Sequence, residues 1–200
     1  MVPARRPLTF AALLAALSLA ACAGPAPRAP APSGATGTPV AELASRDFVR
    51  RARAAELLVA AGEGALPSLG AAGDQPVGGP GGVRSSTTAP VLRAILADLP
   101  PERVRVALGS SWPVVRRAAA EELGRRGSWS AVPILIDGTE DPDGAVRAAC
   151  SEALLRLTNL SFGFEPHGPE RARAAATARW REWWRVTGRL EGDRRDPGAG

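Results

Sequence analysis

Val115-Arg116-Arg117-Ala118-Ala119-Ala120-Glu121-Glu122-Leu123 is answered 66 residues earlier by Val49-Arg50-Arg51-Ala52-Arg53-Ala54-Ala55-Glu56-Leu57, with seven of nine positions alike. Eight residues after each closing leucine comes a second match, Ala65-Leu66-Pro67-Ser68-Leu69 with Ala131-Val132-Pro133-Ile134-Leu135. A third copy, Val146-Arg147-Ala148-Ala149-Cys150-Ser151-Glu152-Ala153-Leu154, starts 31 residues after the best one. A degenerate fourth lies at Val91–Leu99. Val115, Ala119 and Leu123 are spaced i, i+4, i+8, so they share one helical face. A period in the thirties with two helical blocks per unit predicts an all-α fold: a short right-handed α-solenoid of about four helix pairs.

Local signals agree with that reading. Ser111 or Asp141 is expected to cap the following helix, with Pro142 in its first turn. Pro67 and Pro133 stand near the starts of second helices, where a missing N–H does little harm. Gly62, Gly64, Gly124 and Gly127 are read as turns. Arg53 stands where the later copies have Ala119 and Cys150, so 45–70 is expected to be the N-terminal cap, with one face uncovered. Residues 70–90 carry no periodicity and are expected to form a mobile loop within the solenoid, which spans 45–188.

The unit resembles HEAT repeats, in particular the short bacterial type related to phycobilisome-lyase repeats, through Val115-Arg116, Ala119, Leu123-Gly124 and Ala131-Val132-Pro133. That resemblance implies the fold and a protein-binding scaffold, and carries no catalytic residue. The C-terminal stretch, Leu157-Thr158-Asn159 and Phe162-Gly163-Phe164-Glu165, leads into a helix expected from about Pro169 to Val186. It resembles a closing element of some bacterial HEAT proteins, with Asn159, Phe164 and Glu165 in the places of Gly, Tyr and Asp. Trp180, with Trp183 or Trp184, falls on one side of that helix.

Residues 1–21 have a positive start, Arg5-Arg6, and an apolar run from Leu8 to Ala21, short for a bilayer of ~30 Å. Leu19-Ala20-Ala21-Cys22 resembles a bacterial lipoprotein signal. The resemblance implies lipidation of Cys22, with acyl chains such as palmitate, and a bacterial cell-envelope address; Ala23 favours the periplasmic side of the outer membrane if the host is Gram-negative. Residues 22–44 then read as a lipidated cysteine and a disordered Pro/Ala-rich tether, and 189–200 as a disordered tail.

Composition limits the function. The chain has 200 residues, 45% hydrophobic and 22% charged, and its 25 basic residues are all arginine. Loss of Arg5 and Arg6 with the signal lowers the net charge from +5 to +3, which gives no argument for nucleic acid. His167 has no cysteine or second histidine near it, so no metal is expected. Cys150 reads as a packed, inert thiol without a disulfide partner. No nucleophile, phosphate-loop or metalloprotease motif appears, so no enzyme and no cofactor are expected. Glu121 and Glu122 read as surface charge.

Two functions remain in view. The first is a non-enzymatic, membrane-anchored scaffold for an unidentified envelope protein. The second is an envelope glycan or lipid module using Trp and Arg side chains. The candidate binding residues are Arg116, Arg117, Arg147, Trp129 and Trp183, types that dominate interaction hot spots. Arg50, Arg116 and Arg147 recur at one repeat position. They form either a ladder for an anionic partner or internal pairs with carboxylates and helix-end carbonyls. The tryptophans are likewise either an exposed platform or a buried plug, with Trp129 partly exposed.

Overall fold

The computed structural model describes residues 38–74, 85–188 and 190. The chain divides into two units, 1–35 and 36–200. The first unit, with the signal and Cys22, lies outside the described residues, as do most of the tether, residues 75–84 of the predicted loop and the tail from 191.

Among the described residues the structure is helical, with no strand. The helices are α1 (Pro39–Glu42), α2 (Phe48–Ala61), α3 (Leu66–Gly73), α4 (Ser85–Asp98), α5 (Pro101–Ala107), α6 (Pro113–Arg126), α7 (Val132–Gly138), α8 (Gly144–Thr158) and α9 (Glu170–Trp183). Helices α2, α4, α6 and α8 form one row, each touching the next, and α6 against α8 is the most extensive contact. On the other side α3 leans on α4 and α6, α5 on α6, and α7 on α8 and α9. A continuous apolar seam runs between the rows through Leu58, Leu69, Leu92, Leu96, Val115, Leu123, Leu135, Leu154 and Trp180, all nearly inaccessible. Each helix pair is too small to bury its own apolar face, so stability depends on stacking.

Alanine and glycine set the closeness of that stacking. A Cβ on Gly124 would lie 2.8 Å from the Ala153 Cβ, so Gly124 serves close packing of α6 on α8 rather than a turn. The turns belong to Gly127 (φ +69°) and Gly62 (φ +58°), which cap α6 and α2 in conformations that favour glycine. Asn159 ends α8 at φ 59°. Its amide side chain tolerates the left-handed region, which explains how it stands where the resembling element has glycine.

Several expectations shift. Ser111 caps nothing: Trp112 is the N-cap of α6, without a side-chain bond, and Pro113 opens the helix. Asp143, not Asp141, caps α8, accepting from Ala145 N and Val146 N at 2.9 and 3.0 Å; Pro142 therefore precedes the cap. The predicted loop 70–90 is helical at both ends, because α3 continues to Gly73 and α4 starts at Ser85. The predicted tether gives way to α1, capped by Thr38, and Leu43 beyond it is buried in the core.

The largest correction concerns the first repeat. Leu57, aligned with Leu123, is 53% exposed, whereas Leu58 is 5% exposed. Ala54, not Arg53, is the residue against the core. Helix α2 thus matches α6 at an offset of 65, and Arg53 never occupies the core position that suggested an uncovered face. The turn after Gly62 is one residue shorter than the turn after Gly127, which restores the offset of 66 at Ala65 and Ala131.

Candidate interaction groove

The arginines at the repeat position are engaged inside the fold. Arg116 donates through Nη1 to the carbonyls of Ser110 (2.9 Å) and Ser111 (3.1 Å), and through Nε and Nη2 to the Asp141 carboxylate (2.7 and 2.8 Å). Arg147 repeats the device on the carbonyls of Asp141 and Pro142 and adds Pro166. In the first repeat the equivalent residue is Arg51, on Ser45 and Arg46 carbonyls, while Arg50 pairs with Glu42. Each guanidinium thus ties the loop before its helix to that helix. The Asp141 carboxylate, by its hydrogen bonds, raises the Arg116 pKa above the ordinary arginine value.

Glu122 is buried, contrary to its reading as surface charge. Its carboxylate accepts from Arg125 Nε (2.7 Å) and Nη2 (2.6 Å) and from Arg126 Nε (2.6 Å). Arg126 then donates to the carbonyls of Leu96 (2.6 Å) and Leu99 (2.7 Å). Those belong to the last turn of α4 and the residue after it, where carbonyls lack helical partners. Hydrogen bonds from Arg125, with Arg126 second, hold the Glu122 carboxyl below its usual range against the opposing effect of burial. The signal for this cluster was the spacing of Arg125 and Arg126 at i+3 and i+4 from Glu122.

Trp129 and Trp183 come together at the C-terminal end, 6.3 Å apart and edge to face. Trp184 lies 6.3 Å from Trp129, and Trp180 packs edge to face on Phe162 at 4.8 Å. Trp129 is buried, not partly exposed, and its Nε1 donates to the Gly188 carbonyl at 3.3 Å. Trp180 is buried completely, while Trp183 and Trp184 are half-buried. Cys150 is packed beside Gly138, and burial pushes its thiol up to about 12.

The opening that remains is elsewhere. A groove of about 330 Å³ runs between the end of α3, the outer side of α4, the first half of α6 and the start of α8. Val114, Ala89 and Ala118 give it an apolar floor over the buried Leu92, and Asp74, Arg117, Glu121 and Asp143 stand along it. Pro113 at the head of α6 fixes where that wall begins, and the close seating of Gly73 against Val114 sets the depth of one end. Arg117 pairs with Glu121 at 2.8 Å, one helical turn on. Of the candidate binding residues read from the sequence, Arg117 alone lines this groove.

This stack of helix pairs is a HEAT-repeat-like domain, a type of fold that characteristically serves as a non-catalytic scaffold. Residues 106–182 match the family model described as HEAT repeats. No curated protein and no solved structure matches the chain. Among the described residues there is no cluster of three or more His, Cys, Asp or Glu able to hold a metal, and no helix long and apolar enough to cross a membrane.

Proposed function

We propose that this protein is a non-enzymatic scaffold, tethered to a bacterial envelope membrane through lipidated Cys22, whose right-handed solenoid of about four helix pairs binds an envelope protein. The observation that carries the binding half is the groove on the α4–α6–α8 side, an open surface mixing apolar floor and charged walls on a helical frame. The anchoring half is supported by Leu19-Ala20-Ala21-Cys22 after an apolar run. Several acyl chains, at ~0.8 kcal/mol per buried methylene, hold a protein on a membrane. Trp129 and Trp180 are buried and offer no sugar platform, and the half-buried Trp183 packs edge to face on both; no observation favours the glycan reading over this one.

Mass spectrometry of the mature N-terminus, with membrane fractionation, tests the anchor. The expected result is a chain starting at acylated Cys22 in the membrane fraction; an unmodified Cys22 in a soluble chain overturns it. Proximity labelling from that site, in cells, tests the scaffold. One protein enriched over a lipidated control that lacks residues 45–188 is expected, and equal labelling by both proteins overturns the binding half.

A further inference from the structure

We propose that the groove between α3, α4, α6 and α8 takes an extended segment of the partner in which one arginine or lysine stands among small apolar residues. The assignment rests on the scaffold reading and gives its partner a chemistry.

The shape of the groove selects small side chains. Its volume of about 330 Å³ is at the low end for ligand sites. Ala89, Ala118 and Ala145 present single methyl groups and Val114 completes the apolar surface, so short apolar side chains fill it without displacing the walls. The charge selects one cation. Three carboxylates, Asp74, Glu121 and Asp143, face one guanidinium, and Arg117 already neutralises Glu121. Asp143 uses Oδ1 to cap α8 and keeps its second oxygen. Asp74 has no ion pair among the described residues. It also sits at the C-terminal end of α3, where helix carbonyls add negative potential. A guanidinium or ammonium entering here gains charge-assisted hydrogen bonds, and an acidic segment meets Asp74, without an ion pair among the described residues, and Asp143, whose charge the α8 N-terminus and Arg116 offset only in part.

The probe is a capped Ser-Ala-Arg-Val-Ala peptide, titrated into the full chain carrying R28Q, so that Ala26-Pro27-Arg28-Ala29-Pro30 of the chain itself does not compete, and followed by amide NMR shifts, beside the same peptide with citrulline for arginine. Saturable shifts at Gly73, Asp74, Ala89 and Ala145 are expected. The citrulline peptide should bind at least about fivefold more weakly, the scale of one or two solvent-facing ion pairs. D74N with D143N should lower affinity for the arginine peptide by a similar factor; asparagine at 143 retains the capping oxygen. R117A, which removes the fixed cation, should tighten binding, and it decides the matter if the double variant loses helix. Equal binding of both peptides, unchanged affinity in a folded double variant, weaker binding by R117A, or the absence of saturable shifts overturns the assignment. A partner labelled from Cys22 without arginine-peptide binding removes the groove assignment alone; peptide binding with equal labelling of the control removes the envelope scaffold alone.

Discussion

Glu122 and Gly124 show how single residues hold this stack together. Glu122 is a charge in the core that is matched twice and, through Arg126, closes the end of the neighbouring helix. E122Q keeps the shape and removes the charge, and should cost about 1–3 kcal/mol in urea unfolding. The pH dependence follows from the direction of its shift. A carboxyl held below its unfolded value, near ~4.3, contributes fully above that value and loses its contribution as pH falls toward the folded one. Thermal midpoints between pH 6 and about pH 3 should therefore fall less steeply in E122Q than in the parent. For Gly124 the test is addition of a methyl group. G124A collides with Ala153 and should destabilise by about 1–3 kcal/mol. Cys150, buried and with its thiol pushed up to about 12, should react with a thiol reagent at pH 8 only as fast as the fold opens. Labelling of a folded C22S chain at the rate seen in urea would refute that packing.

At the scale of the element, the first repeat separates two registers. The structure makes Arg51 and Leu58 the packed pair, and the sequence alignment favoured Arg50 and Leu57. L58A should cost about 2–5 kcal/mol, whereas L57A should stay within about 0.5 kcal/mol. R51A should cost about 1 kcal/mol or more for its two loop bonds, and R50A less than that, as an exposed pair. The helix pairs were legible because alanine and leucine keep their period wherever a helix must face its neighbours. The one-residue slip was not, because the offset of 66 matches seven of the nine positions and the offset of 65 that the structure adopts matches five. Only the shortened turn after Gly62 reconciles the two, and turn length leaves no periodic trace. The buried carboxylate was hidden for a related reason: Glu121 and Glu122 are adjacent and alike, and only the packing of α4 against α6 tells them apart. The groove was illegible altogether, since Asp74, Arg117 and Asp143 lie on three elements that only the tertiary arrangement brings together.

For the whole molecule, the two ends of the stack differ. The N-terminal end is covered by four-residue α1 and Leu43, and leaves Leu57 in solvent. The C-terminal end is closed by α9, fastened to α7 and the turn after it by Arg181 on Asp137 (3.1 Å) and Glu140 (2.6 Å). Repeat stacks need closed ends to stay soluble. A chain ending at Gly168 should therefore expose the surface under Trp180 and self-associate in size-exclusion chromatography. A monomer with undiminished helix per residue would show that α9 is dispensable. The same end offers a built-in optical reporter. Four of the five indoles crowd into one cluster there, so intrinsic emission is weighted to the last unit, whereas far-ultraviolet dichroism averages every helix. If the stack unravels from that terminus, the emission trace on heating leads the dichroism trace, and the gap between them measures how far opening spreads before the remaining helices follow.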